Sequence, residues 1–257
     1  GINIQVLSPN PLTMMHGIEA EVARDFCRRH NNSMSLQLTA YRDRFLGLAA
    51  LPMQDIKAAC FELNRAVSEL GLSGAFVGTD FSGGFAAAEM DQLYRTLVDL
   101  DVPLFIHPSS TNGVGGLADK RLEPHNLSLS LGYAYEEALA VSTIILGGVY
   151  DRHPDLDICI SHGGGCAIFL ADKFQFMAEF DPNVPSGVSE NGFLNQMRLL
   201  WFDSHLHGDQ QRNFLADRVG TERLVFGTNM GGFDTPVTIQ EYATSLTENA
   251  EKLMRLN

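Results

Sequence analysis

The apolar positions of this chain fall into two alternating kinds of segment: short runs that are apolar on both faces, and longer stretches whose apolar residues recur at helical spacing. Residues 2–8 alternate like a strand and are stopped by Pro9-Asn10-Pro11, ahead of a helix predicted over 18–30. The nearly unbroken apolar run 45–51 ends at Pro52, and Asp55 is placed to cap a helix running to residue 70. The unit then repeats. Strand 72–79 precedes helix 87–100, and strand 102–107 precedes a long loop rich in Gly, Ser and Asn (109–132) and a helix over 135–150. Strand 156–160 leads to helix 166–176 and strand 199–203 to helix 209–219, before a last strand at 223–227 and a final helical region. No fixed-period sequence repeat accompanies this order, so the repetition is structural.

Strands apolar on both faces, each followed by a helix, make a parallel sheet covered by helices. Seven such units are present, whereas a closed barrel needs eight. An open doubly wound sheet would carry a Gly-rich phosphate loop at its first turn, and none is seen. The chain also opens at Gly1-Ile2 with a strand already under way. The expected fold is therefore α/β, a (β/α)8 TIM barrel with seven βα units in this sequence and one preceding Gly1; an open seven-stranded sheet is the alternative. An open seam in a parallel barrel would leave backbone groups unpaired, so further residues or a second copy, as in a homodimer, should cover it. The even spread of apolar residues over 257 positions gives one domain, 1–257.

Composition narrows the partners. A formal net charge of −13, with no basic stripe, argues against nucleic acid. No apolar run reaches membrane-spanning length and no signal-type segment opens the chain. Cys27, Cys60, Cys159 and Cys166 show no CxxC spacing and read as reduced packing thiols of a cytoplasmic protein.

Candidate chemistry lies at strand ends, which in a barrel meet at one mouth. The strand at 156–160 runs into Ser161-His162-Gly163-Gly164-Gly165, where glycines let the backbone turn sharply beside the imidazole. The other strand ends carry Ser8-Pro9-Asn10, Thr79-Asp80, His107, Asp203 with His205 and His207, and Asn229. Several histidines at one mouth favour a metal-assisted enzyme, since histidine is the commonest metal ligand and the usual acid/base near neutrality. His16, His30, His125 and His153 read as ordinary surface.

The runs Val102-Pro103-Leu104-Phe105-Ile106-His107-Pro108, Gly147-Gly148-Val149-Tyr150-Asp151-Arg152-His153-Pro154-Asp155-Leu156, Ile160-Ser161-His162-Gly163-Gly164-Gly165 and Arg223-Leu224-Val225-Phe226-Gly227-Thr228 resemble the amidohydrolase superfamily. Within it they are similar to the branch of aminocarboxymuconate-semialdehyde decarboxylase and related aromatic-acid decarboxylases. The resemblance implies a barrel of the metal-dependent hydrolase type holding one divalent ion, zinc or else manganese. Its ligands would be a His-x-His pair ending strand one, a histidine ending strand five and an aspartate ending strand eight, with the strand-six histidine as acid/base.

On that pattern His107 is the strand-five ligand and His162 the acid/base. The strand-one pair has no counterpart in the sequence, and Asn229 stands where the family has aspartate. A carboxamide offers an oxygen without a charge, so metal affinity is expected to suffer. Asp234 is an alternative ligand or a helix cap. His205 and His207 share a strand face and form a possible ligand pair, but their strand-seven position favours substrate contact for Asp203 and His205, with Asn10 as a further substrate contact. Lys120 and Arg121 are candidate cations for an anionic substrate. The implied activity is decarboxylation of a small unsaturated or aromatic acid; hydrolysis or hydration within the same superfamily, and a degenerate binding protein, are the alternatives.

Overall fold

The computed structural model describes residues 2–41, 43–109, 119–230 and 240–256. The chain falls into two compact units, Gly1–Tyr133 and Ala134–Asn257.

The first unit is built from β1 (Gln5–Leu7), α1 (Ala20–Thr39), β2 (Phe45–Gly47), β3 (Ala49–Ala50), α2 (Ile56–Ser68), β4 (Ala75–Gly78), α3 (Met90–Asp99) and β5 (Leu104–His107). β2 and β3 are the two halves of the single predicted strand. Its first half pairs in parallel with β1, Gln5 opposite Phe45, and its second half with β4, Ala49 opposite Ala75. β4 pairs in parallel with β5, so that Gly78 lies opposite His107 at the carboxyl end. Each crossover is a helix whose buried stripe faces the strands; in α2 it is Ile56, Ala59, Leu63 and Ala66. Asp55 caps that helix as predicted, accepting from the Ala58 N–H at 3.0 Å.

The second unit contains α4 (Tyr133–Leu146), α5 (Val149–Arg152), β6 (Ile158–Ile160), α6 (Ala167–Ala178), α7 (Ser186–Asn191), α8 (Phe193–Met197), β7 (Trp201–Asp203), α9 (Asp209–Val219), β8 (Leu224–Val225), α10 (Gln240–Ser245) and α11 (Thr247–Leu253). β6, β7 and β8 are parallel, with Cys159 opposite Trp201 and Phe202 opposite Leu224. The strands found in the two units are the seven that the apolar pattern predicts. No helix among the described residues is long and apolar enough to cross a membrane.

Two expectations are corrected. The helix predicted to stop at residue 30 continues to Thr39, through Asn31-Asn32-Ser33, residues that favour caps and turns over helix interiors. Tertiary contact overrides that preference: Asn31 is fully buried, and its carboxamide accepts from the Ala50 N–H at 2.8 Å and donates to the Ala50 carbonyl at 2.9 Å. The same amide donates to Glu62 at 2.7 Å, and Glu62 is ion-paired to Arg65. One side chain thus gives the strand the hydrogen bonds of a neighbouring backbone. The second correction concerns His16 and His153, which are buried at 7% and 8% exposure rather than superficial. His16 Nδ1 lies 3.1 Å from Asp80, and the Ser109 hydroxyl donates to the same carboxylate oxygen.

Replacing Asn31 with alanine strips two buried backbone groups of their partners, at a cost of roughly 2–4 kcal/mol. Urea unfolding of Asn31→Ala should show a correspondingly lower midpoint; an unchanged midpoint would contradict the role assigned to this clasp.

Candidate functional site

The glycine-rich turn after β6 has a conformation that few sequences allow. His162 has φ +48° and ψ +39°, the left-handed region, and Gly163, Gly164 and Gly165 follow with φ of +64°, +77° and +61°. A histidine in that region costs on the order of 1–2 kcal/mol, so something must hold it. Asp203, at the end of β7, does so: its Oδ1 accepts the His162 backbone N–H at 2.8 Å and the His205 N–H at 3.0 Å. The turn of one strand is clasped by the carboxylate of the next.

The imidazole itself is held from the opposite side. His162 Nδ1 donates to Oε1 of Glu137, on α4, at 2.6 Å. The histidine side chain is 25% exposed and the glutamate side chain 1%. Burial pushes the Glu137 carboxyl up to about 7, opposed by the bond and charge of His162 and reinforced by the nearby charge of Asp203. Space for this carboxylate depends on Gly165. A Cβ there would stand 2.8 Å from Glu137 Oε2 and 2.3 Å from the Ala134 carbonyl oxygen.

Around the pair, the His205 ring lies 5.5 Å from that of His162, and the His207 ring 5.4 Å from that of His205. His205 is buried at 5% exposure. The segment carrying Asn229 passes close by, since a Cβ on Gly227 would meet Asp203 Cγ at 3.0 Å and His205 Cβ at 3.1 Å. Asn229, half-buried, has a left-handed φ of +45°. The structure thus brings His162, Asp203 and His205 together. It adds Glu137, which the sequence reading missed. The available signal was an acidic residue on the apolar stripe of α4, aligned with Val141, Ile144 and Ile145 rather than with the half-exposed Glu136.

His107 and Asn10 belong to the other unit. His107 Nδ1 donates to the Pro108 carbonyl at 2.7 Å, and its ring packs on Phe76 and Tyr133. That bond makes Nδ1 the donor, as in a histidine that ligates metal through Nε2. Asn10 is exposed, with its backbone carbonyl bonded to Thr13. Arg121, offered above as a cation for substrate, is exposed and bound to Asp119. Asp234 lies outside the described residues.

For a divalent ion the donor chemistry of His107 is suitable, and Asn229 has an amide oxygen to offer. No group of three His, Cys, Asp or Glu side chains able to hold an ion occurs among the described residues. The described residues do not complete a donor set.

Parallel strands joined by helices, with a clasped histidine at a strand's carboxyl end, are the architecture of α/β folds of barrel type. The amidohydrolase family model matches residues 3–254, and the chain belongs to that family. It is 28% identical over 229 residues to 2-amino-3-carboxymuconate-6-semialdehyde decarboxylase of Dictyostelium discoideum, across 89% of this chain but only 62% of that protein. It is 32% identical over 244 residues to gamma-resorcylate decarboxylase of Rhodococcus jostii (strain RHA1), across 89% of this chain and 73% of that one. A solved dihydroxybenzoic acid decarboxylase from Polaromonas sp. JS666, with bound manganese and the inhibitor 2-nitroresorcinol, superposes with a TM-score of 0.80 at 23% identity. That match covers 100% of this chain and 83% of that chain. The fold class is accordingly the amidohydrolase-type TIM barrel, as the seven βα units and the sequence resemblance indicated.

Gly165→Ala should destabilise the protein by roughly 2–4 kcal/mol, through overlap with Ala134 and Glu137 added to backbone strain. Gly84→Ala is the control, because its φ of +68° is similar but nothing lies within 4 Å of the added carbon. If thermal unfolding showed equal losses for the two, strain alone would account for them and the close approach would be irrelevant.

Proposed function

We propose that the protein is a metal-dependent carboxy-lyase acting on a small unsaturated or aromatic carboxylic acid. The observation that carries the reading is the His162–Glu137 pair on a strand end clasped by Asp203, in a chain whose relatives include several aromatic-acid decarboxylases. Loss of carbon dioxide leaves an electron pair on carbon, and the reaction needs an acid placed to supply a proton there. His162, charged and held through Nδ1, gives that proton from Nε2 to the carbon bearing the carboxylate. The carbon–carbon bond then breaks, its electrons return to the unsaturated framework, and carbon dioxide leaves; neutral His162 regains its proton from water. His205 and Asp203 are proposed to shape the substrate's surroundings, Asp203 through the backbone it holds, and Asn10 remains a proposed substrate contact. His107, with Asn229, is proposed to contribute to holding one divalent ion, zinc rather than manganese. When bound, such an ion supplies positive charge against the substrate's oxygens.

The same reading takes the barrel as one domain over 1–257, supported by a family match that runs through it without a break. It also proposes a cytoplasmic homodimer with no nucleic-acid or membrane partner. The net charge of −13 supports the exclusion of nucleic acid, and an exposed apolar face on and just beyond α6, formed by Phe169, Phe176 and Phe180, supports self-association.

His162→Asn should lower turnover by on the order of 10² to 10⁴ while leaving folding and metal content nearly unchanged. Carbon dioxide release from dihydroxybenzoates and from carboxymuconate-type acids is the assay; water addition or ring opening without carbon dioxide would replace the proposal with a hydratase or hydrolase. Asn229→Asp should raise metal occupancy measured by elemental analysis at matched pH, because an ionised oxygen adds Coulomb attraction that a carboxamide lacks. Equal or lower occupancy in the variant would remove Asn229 from the ligand set.

A further inference from the structure

We infer that Glu137 is the positioning residue for His162: its buried carboxylate, bonded to Nδ1, fixes the orientation of the imidazole and holds it in the charged form that delivers a proton. The kinetic half of this inference rests on the decarboxylase reading; the coupling of the two side chains does not.

A carboxylate on the apolar stripe of a helix loses its hydration, and a nonpolar side chain of similar volume would suit the site better unless the charge has a partner. Here the partner is a single hydrogen bond of 2.6 Å to an imidazole that still reaches solvent. The turn also packs tightly beside the pair: a Cβ at residue 165 would stand 2.3 Å from the Ala134 carbonyl oxygen and 2.8 Å from Glu137 Oε2.

Among the charged and titratable groups described around the pair, Glu137 is bonded directly to the ring. Asp203 adds negative charge from β7, but its Oδ1 is committed to the backbone N–H groups of His162 and His205. His205 faces the His162 ring, with His207 beyond it. Cys166, beside Glu137 at the start of α6, and Cys159 in β6 are thiols whose ionisation burial opposes. Glu136, the neighbouring carboxylate on α4, is half-exposed. A carboxylate within hydrogen-bonding distance favours the imidazolium, so the ring should stay charged to higher pH than it would beside a neutral group. Because turnover needs the charged ring, activity is present below the pH at which the ring titrates and is lost as pH rises through it.

Glu137→Gln separates charge from position, since the carboxamide oxygen can still accept from Nδ1 while the charge is gone. The His162 imidazole is followed by proton–nitrogen NMR across pH in the substrate-free protein, with its signal assigned by its absence in His162→Asn. The titration should move to lower pH by about 1–3 units in Glu137→Gln. The alkaline limb of kcat/KM should move the same way, and kcat should fall at least tenfold. Glu137→Asp keeps the charge on a shorter arm, so its titration should stay near that of the parent while kcat drops; it also serves if the glutamine variant does not fold. A titration unmoved in Glu137→Gln, or one that moves as far in Glu137→Asp as in Glu137→Gln, would overturn the inference whatever the protein turns over. A shifted titration in a protein that releases no carbon dioxide would support the pairing and overturn the decarboxylase reading instead.

Discussion

The carboxyl end of the second unit depends on one buried carboxylate meeting one imidazole. Glu137 reaches His162 only because the turn after β6 comes within van der Waals distance of α4, and it does so where Gly165 offers no side chain. Asp203 then holds the left-handed His162 backbone from the neighbouring strand. A side chain at 165 would crowd the Ala134 backbone as well as Glu137, and loss of Asp203 would take away the hydrogen bond that holds the left-handed His162 backbone.

At the opposite end of the same strands the polar groups have a different character. Asp157, just before β6, accepts from Trp201 Nε1 at 2.6 Å, from Arg223 at 3.1 Å and from Arg255 at 2.8 Å. Arg223 also stacks 4.7 Å from the Trp201 ring. Here a carboxylate is saturated by donors and ties the amino ends of the strands to the carboxy-terminal segment. Glu137, by contrast, is offered one titratable donor in a site with partial access to solvent. Barrel enzymes separate stability and chemistry between their two faces in this way. In the first unit the buried clasp of Asn31 on Ala50 belongs to the stability side, while His16, Asp80 and Ser109 form a polar cluster just past the carboxyl ends of β4 and β5.

Much of this was legible in the sequence, for local reasons. A strand buried on both faces has to be apolar throughout, so most of the seven strands announced themselves as short apolar runs, residues 2–8 showed as an alternating one, and Asp55 before a helical stripe marked a cap that the structure contains. His162 was legible because its backbone geometry demands glycines in succession, and such a run is visible without coordinates. The resemblance to the amidohydrolases rested on three motifs at strand ends and a fourth, Gly147 to Leu156, that leads into β6, and the family match followed.

What the tertiary structure alone decided are the pairings between residues distant in sequence. Glu137 looks like one of two adjacent helix glutamates until the fold buries it against a turn that lies 25 residues further along the chain. Asn31 weakens the helix locally and is kept there by a strand 19 residues away. His16 read as surface because it lies in a loop between predicted elements; Asp80, 64 residues on, supplies the partner that makes burial tolerable. Local preference sets where strands and helices begin, because it acts over a few residues. The burial of a charge is set by its partner, and partners meet only once the chain has folded.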